Sequence, residues 1–128
     1  MNVNIKKILV VDDEPDTLTF LTTLLQDNGF EVISATNGKE CCEKAKADQP
    51  DLITLDITMP EESGVRAFRN IQETEETKDI PVIIVTGVSL DFKKFIHTRK
   101  NIRPPAGYME KPIDTSELLA KINDALGQ

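Results

Sequence analysis

DLITLDITMP, residues 51–60, is the stretch around which the sequence is organised. It contains an apolar run of strand length, and the last side chain of that run is the carboxylate of Asp56. Pro60 follows soon after, and a proline has no amide hydrogen with which to continue a strand ladder. Because a carboxylate at the end of a buried strand contributes little to packing, we expect Asp56 to have a chemical role.

Two further apolar runs of strand length are followed directly by polar residues. Ile8–Val11 is followed by Asp12 and Asp13, and Pro81–Val85 is followed by Thr86. Continuous apolar runs of this length are typical of strands buried on both faces of a parallel sheet. We therefore expect three central strands that each end in polar side chains.

Strands and helices alternate along the sequence, and the pattern is β-α five times. Repeated β-α units imply parallel strands that are joined by right-handed crossovers. At this length they fit an α/β, flavodoxin-like doubly wound (βα)5 fold, a five-stranded parallel sheet in the order 2-1-3-4-5. We predict that residues 1–128 form a single domain. The predicted strands are 8–11, 30–35, 51–56, 81–85 and 108–109, and the predicted helices begin at Pro15, Lys39, Ser63, Leu90 and Asp114.

The helices are expected to bury one face each. In the third helix we predict that Val65, Phe68 and Ile71 face inward. Asn28-Gly29 is expected to end the first helix. Asp114, with Glu117 three residues later, predicts a capping box at the start of the last helix.

The two cysteines, Cys41 and Cys42, are adjacent in the predicted second helix. Adjacent cysteines rarely pair, and two thiols with the single histidine, His97, cannot complete a typical zinc site. We interpret both cysteines, together with Ala45, as small residues that face the interior. A Ser-His-Asp triad would have to use His97, which lies in a basic stretch, so we expect an exposed histidine there.

The formal net charge of −7 argues against a nucleic-acid-binding domain. Residues 93–103 nevertheless carry five basic side chains and no acid. We interpret this basic run as a solvated helix face, and docking of an acidic partner or self-association is the alternative. The apolar runs are too short to span a membrane and none resembles a signal peptide, so we expect a cytoplasmic protein without a membrane partner.

The predicted strand order brings the polar side chains to one edge of the sheet. Ligands of such sheets bind at the carboxyl ends of the strands, where the strand order reverses. Asp12, Asp13, Asp56 and Thr86 end strands at this edge, and Lys111 follows the last strand. Clustered carboxylates repel one another unless a cation joins them, and Mg²⁺ fits because it binds carboxylates, keeps waters and accepts phosphate oxygens. These groups are sufficient for phosphoryl transfer to an aspartate.

The same residues carry a resemblance that covers essentially the whole chain. VDDE at 11–14, DITMP at 56–60, Thr86 and YMEKP at 108–112 resemble the receiver domain of bacterial response regulators. The resemblance implies that Asp56 is the phosphoacceptor. It implies that Asp13 is the main Mg²⁺ ligand, that Asp12 acts through water, and that the backbone carbonyl of Thr58 completes the protein's share of the metal shell.

The resemblance also implies roles at the end of the chain. Lys111 would pair with the phosphoryl group, Thr86 would donate a hydrogen bond to it, and Tyr108 would turn inward when Thr86 moves. The Lys111–Pro112 bond is expected to be cis. A histidine kinase or histidine phosphotransfer protein would donate the phosphoryl group. An unidentified output partner would bind the face formed by the 90–100 helix, the 108–109 strand and the helix that begins at Asp114.

Other interpretations stay open at this point. A Mg²⁺-dependent phosphohydrolase with an aspartyl nucleophile typically has a second aspartate two residues after the first, where this chain has Thr58. A flavodoxin-like cofactor binder is disfavoured because the sequence has no tryptophan, no G-x-G-x-x-G and no P-loop. Asp12 and Asp13 could serve only as caps of the first helix. The chain departs from the usual receiver pattern at residues 61–64 and in the long stretch between Thr86 and Tyr108, which contains Pro104 and Pro105.

Overall fold

A computed structural model describes residues 5–58, 63–87 and 105–127. Within these ranges five parallel strands form one sheet in the order β2-β1-β3-β4-β5, which confirms the predicted fold and strand order. The predicted 90–100 helix and the basic run with His97 lie outside the described residues. The strands are β1 Lys7–Val11, β2 Glu31–Ala35, β3 Leu52–Asp56, β4 Val82–Thr86 and β5 Gly107–Glu110, and the helices are α1 Pro15–Asp27, α2 Gly38–Asp48, α3 Ser63–Glu73 and a C-terminal helix Thr115–Ala125.

The core has two layers, one on each face of the sheet, because successive side chains of a strand point to opposite faces. On β1, Leu9 and Val11 belong to the layer under α2 and α3, which also contains Phe68. Ile8 and Val10 belong to the other layer, with residues of α1 and the C-terminal helix. All residues of β3 and β4 are buried, as the apolar runs predicted. Each fully buried large apolar side chain stabilises the fold by about 1.5–3 kcal/mol.

The first helix begins and ends where the sequence predicted. Pro15 occupies its first turn, where its missing amide hydrogen costs no hydrogen bond. Asn28 follows as the C-cap, and Gly29 adopts a φ of 90°, a conformation that favours glycine. Because β1 ends at Val11 and α1 begins at Pro15, residues 12–14 form the short connection between them and have a fixed position.

The buried face of α3 differs in part from the prediction. Phe68 and Ile71 are buried as expected, but Val65 is only half-buried. Gly64 and Ala67 are buried in its place. A Cβ atom on Gly64 would lie 2.5 Å from the backbone oxygen of Asp56 and 2.5 Å from Cα of Ile57. The start of α3 therefore packs on backbone and needs small residues there, which a hydrophobicity pattern does not detect.

The predictions for the cysteines and the last helix are confirmed in part, because Cys42 is less buried than expected and only the Asp114 side-chain bond of the capping box is seen among the described residues. Cys41 and Ala45 are fully buried, and Cys42 is half-buried. At the C-terminal helix, Oδ1 of Asp114 accepts a 3.0 Å hydrogen bond from the amide of Glu117, which confirms Asp114 as the N-cap. The side chain of Glu117 lies 3.7 Å from the ammonium of Lys121.

Two further observations concern one peptide bond and the length and polarity of the helices. The Lys111–Pro112 peptide bond is cis, as expected. In the ranges that the structure describes, every helix is too short or too polar to cross a lipid bilayer.

Candidate functional site

The carboxyl ends of β1 and β3 lie side by side and bring four acidic side chains together. Val11 is the register partner of Leu55, so the residues that follow them, Asp12 and Asp56, are neighbours. Both of these carboxylates are buried, each with 1% of its residue surface exposed. Carboxylate oxygens of Asp12, Asp13, Glu14 and Asp56 lie within 4.8 Å of one another, and Asp13 and Glu14 are exposed.

The ammonium of Lys111 contacts three of these carboxylates. Its Nζ atom lies 3.0 Å from Oδ2 of Asp12, 3.0 Å from Oε1 of Glu14 and 3.3 Å from Oδ2 of Asp56. The lysine side chain is 19% exposed, so solvent screens these contacts only in part. The structure thus brings together residues from the ends of β1, β3 and β5 that are far apart in sequence, as the strand order predicted.

The electrostatics of the site favour a further cation. Burial raises the pKa of the Asp12 carboxyl, and the charge of Asp56 adds to this effect, while hydrogen bonds from the Glu14 amide and from Lys111 oppose it. Burial by itself would lower the pKa of Lys111, but hydrogen bonds to Glu14 and Asp12 and the charges of Asp56 and Asp12 raise it above its usual range. One ammonium among four carboxylates leaves the site with an excess of negative charge.

The orientation of the Asp56 carboxylate is fixed by Thr58. Oδ1 of Asp56 accepts a 2.8 Å hydrogen bond from the amide of Thr58 and a 2.5 Å hydrogen bond from its hydroxyl. Oδ2 of Asp56 faces Lys111. The sequence interpretation gave Thr58 only a backbone role, so the contribution of its hydroxyl is an addition. Threonine side chains often bond to nearby residues in this local manner.

Thr86 and Tyr108 lie on neighbouring strands. Thr86 is buried at the end of β4, and the register pairs it with Glu110 on β5. Tyr108 is the register partner of Ile84 and packs, half-buried, against the layer under α2 and α3. Ile84 and Thr86 are two residues apart, so their side chains point to the same face of the sheet as Tyr108. Burial raises the pKa of the Tyr108 phenol.

The donor set fits a hard divalent cation. All four acidic groups offer carboxylate oxygens, which Mg²⁺ and Ca²⁺ prefer, and the cluster contains neither a thiol nor an imidazole. The exposure of Asp13 leaves room for waters, which Mg²⁺ usually retains.

Comparison with known proteins agrees with this geometry. The sequence model of the family described as response regulator receiver domain matches residues 8–123 of this chain. The chain belongs to the response regulator receiver domain family. Protein PilH from Pseudomonas aeruginosa is 38% identical over 120 residues, which cover 94% of this chain and 97% of PilH. A CheY-like receiver domain protein from Methanospirillum hungatei has a TM-score of 0.84 and 27% identity, with 97% of this chain and 95% of that chain covered.

A second solved structure shares the fold and contains a metal. The receiver domain of the sensor histidine kinase PA1611 from Pseudomonas aeruginosa was solved with a magnesium ion coordinated in its active-site cleft. It has a TM-score of 0.84 and 24% identity, and the match covers 97% of this chain and 99% of that one. Receiver domains are the signalling switches of two-component systems and interact with histidine kinases or phosphotransfer proteins.

Glu14 is the residue of the site that sequence reasoning missed. It was quoted as part of the VDDE motif but was given no role. Its position directly after two candidate metal ligands was the available signal. The contact with Lys111 depends on a side-chain direction that the sequence alone does not show.

Proposed function

We propose that this protein is a cytoplasmic receiver, with residues 1–128 acting as one domain, and that Asp56 accepts a phosphoryl group from a histidine kinase or histidine phosphotransfer protein in a Mg²⁺-dependent reaction. One observation carries the proposal. A buried carboxylate is held in a fixed orientation by Thr58 and lies 3.3 Å from the ammonium of Lys111. Positioning and charge neutralisation are the main requirements of phosphoryl transfer.

The acidic residues would hold the metal. Asp13 and Asp56 would be direct ligands, Asp12 would act through a water molecule, and the backbone carbonyl of Thr58 would complete the protein's share of the shell. Bound Mg²⁺ would neutralise charge on the oxygens of the transferring phosphoryl group. The excess of carboxylates over cations in the site supports this assignment.

The chemical step uses the side chain of Asp56 as nucleophile. One of its carboxylate oxygens attacks the phosphorus atom of a phosphohistidine, and the new P–O bond forms as the P–N bond breaks. The imidazole nitrogen keeps the electron pair and takes a proton from solvent, so Asp56 becomes an acyl phosphate. Thr58 keeps the carboxylate oriented, and Lys111 contributes positive charge to the phosphoryl oxygens.

The switch would use Thr86 and Tyr108. The hydroxyl of Thr86 would move toward the phosphoryl group and vacate space beside β4, and the ring of Tyr108 on β5 would fill that space. The output face, which includes β5 and the C-terminal helix, would then change shape toward its partner. The burial of Thr86 and the adjacency of β4 and β5 support this route.

The phosphohydrolase alternative receives less support. Its second aspartate would act as a general acid or base near the nucleophile, and Thr58 stands at that position. The Thr58 hydroxyl is bonded to Asp56 itself, and an unperturbed hydroxyl is a poor general acid or base at neutral pH.

Phosphorylation by a small donor tests the proposal. Incubation of the protein with acetyl phosphate and Mg²⁺ is expected to add one phosphoryl group, which intact-mass spectrometry detects and hydroxylamine removes. Asp56→Asn is expected to remain unmodified, and Asp16→Asn, an exposed substitution in the first turn of α1, is expected to react as the wild type does. Modification at another residue, or no modification of the wild type, would contradict the proposal.

A further inference from the structure

Glu14 occupies the N-cap position of α1, but its side chain does not cap the described first turn of that helix. Its backbone is fixed, because its carbonyl accepts a 3.0 Å hydrogen bond from the Leu18 amide and its amide donates a 2.9 Å bond to Oδ1 of Asp12. N-cap side chains commonly accept a hydrogen bond from an amide of the first turn. The Glu14 carboxylate instead contacts the ammonium of Lys111 at 3.0 Å.

We propose that Glu14 is a latch on Lys111, which holds the ammonium in the resting protein and releases it to the phosphoryl group on Asp56. The inference rests on the proposed function of Asp56 and adds a regulatory contact to it. In the resting site the ammonium already contacts three carboxylates. An ammonium has only three donors, so each hydrogen bond from Lys111 to the phosphoryl group replaces one of these contacts.

The three contacts differ in what it costs to break them. Phosphorylation moves the charge of Asp56 onto the phosphoryl oxygens, so the donor that contacts Asp56 passes to that group. The side chain of Asp12 is 2% exposed, so loss of the lysine would leave a buried, unpaired charge there, which is strongly destabilising. The side chain of Glu14 is 63% exposed, and its carboxylate becomes hydrated when it leaves. Exposed ion pairs contribute little to stability, so Glu14 is the partner that gives up a second donor of Lys111 to the phosphoryl group.

The latch has opposite effects on the two ligands of the site. The negative charge of Glu14 attracts a divalent cation but competes with an anionic phosphoryl group for Lys111. Its removal is therefore expected to weaken Mg²⁺ binding and to strengthen binding of the phosphoryl mimic beryllofluoride at saturating Mg²⁺. A folding defect would instead weaken both.

Two titrations followed by NMR measure these effects. Mg²⁺ is added first, beryllofluoride is then added at saturating Mg²⁺, and the amide resonances of Thr86 and Lys111 report both Kd values. For Glu14→Gln we expect a beryllofluoride Kd about 2–5-fold lower than that of the wild type, the scale of an exposed ion pair, and a higher Mg²⁺ Kd. Glu14→Asp keeps the charge but is one methylene too short for the contact, so it is expected to lower the beryllofluoride Kd as well.

Asp16→Asn is the matched control. It removes the same charge from the first turn of α1, and Asp16 forms no ion pair with another residue that the structure describes. We expect its beryllofluoride Kd to equal that of the wild type. If both Glu14 variants bind beryllofluoride as the wild type does, or if only loss of charge matters and Glu14→Asp is unchanged, the latch is wrong and the proposed function stands. If the wild type does not bind beryllofluoride at all, the proposed function fails, and the latch fails with it.

Discussion

The main-chain amide of Lys111 donates a 2.7 Å hydrogen bond to the carbonyl oxygen of Thr86. The bond ties the proposed charge partner of the phosphoryl group to the proposed switch residue through backbone atoms alone. Because the bond uses no side-chain atom, substitution of the Thr86 side chain is expected to keep it and to leave Lys111 in position. We therefore expect acceptance of the phosphoryl group and transmission of the signal to be separable by mutation.

Thr86→Ala is expected to accept phosphoryl groups but to transmit the change poorly. Its methyl group cannot donate the hydrogen bond that would draw residue 86 toward the phosphoryl group. In amide hydrogen exchange, phosphorylated wild type is expected to change protection over residues 105–112, and phosphorylated Thr86→Ala much less. Thr86→Ser keeps the hydroxyl and serves as the control. Equal changes in the wild type and Thr86→Ala would mean that the signal leaves the site by another route.

Mg²⁺ is expected to stabilise the folded protein through the acidic cluster. A ligand at 100 times its Kd that binds only the native state adds about 2.7 kcal/mol to the free energy of unfolding. Asp13→Asn is expected to abolish this gain, because Asp13 is the proposed direct ligand whose exposed carboxylate reaches the metal. Thermal unfolding by circular dichroism, with and without Mg²⁺, checks the expectation.

Asp27→Asn is a control for the metal experiment, since this exposed acid lies at the far end of α1. It is expected to respond to Mg²⁺ as the wild type does. A Tm increase of wild-type size in Asp13→Asn would show that the metal binds elsewhere.

Thr54 is a buried hydroxyl that the fold does not need. It is 2% exposed, its strand neighbours are Val10 and Ile83, and Oγ1 has no hydrogen-bond partner among the residues described. A buried polar group without a partner costs about 1–3 kcal/mol, so Thr54→Val is expected to raise the free energy of unfolding by about 1–2 kcal/mol. Urea unfolding measures the change.

Thr54→Ser provides the comparison, because it keeps the hydroxyl and removes the methyl group. A cavity of that size is expected to lower stability by about 1 kcal/mol. If Thr54→Val were less stable than the wild type, the hydroxyl would have to make a favourable bond in the native protein.

The sequence predicted the sheet and the composition of the site because these depend on coarse patterns. Apolar runs such as Ile8–Val11 have few alternatives to a buried central strand, and the strand order follows from repeated β-α units. Once the order is known, the ends of β1, β3 and β5 lie along one edge of the sheet, where the long side chain of Lys111 reaches Asp12 and Asp56.

What the sequence did not predict depends on distances of a few ångströms. The direction of the Glu14 side chain and the bond from the Thr58 hydroxyl to Asp56 are choices among rotamers, which residue type does not determine. The buried position of Gly64 was missed for a related reason. Hydrophobic periodicity identifies large apolar residues such as Val65, but a close approach of backbone to backbone requires the residue without a side chain.

Gly64→Ala is expected to destabilise the protein and to disturb the site. The added Cβ would lie 2.5 Å from backbone atoms of Asp56 and Ile57, so α3 or the end of β3 must move. Overpacking of this kind typically costs about 1–3 kcal/mol. Both the urea midpoint and the rate of phosphorylation by acetyl phosphate are expected to fall.

Gly107→Ala is the matched substitution for this test. There the Cβ would lie 3.7 Å from Cδ of Lys121, an ordinary van der Waals contact. We expect stability close to that of the wild type, and an equal loss in both variants would contradict the steric explanation.

The separation of Asp56 and Lys111 by 55 positions has a consequence for the synthesis of the protein on the ribosome. During translation the acceptor carboxylate leaves the ribosome 55 residues ahead of the lysine that lies beside it in the folded protein. A nascent or prematurely terminated chain that ends before β5 presents the acids of β1 and β3 without their ammonium. Such a chain lacks the lysine of the proposed phosphoryl site, so we expect only polypeptides whose synthesis has passed β5 to respond to a donor.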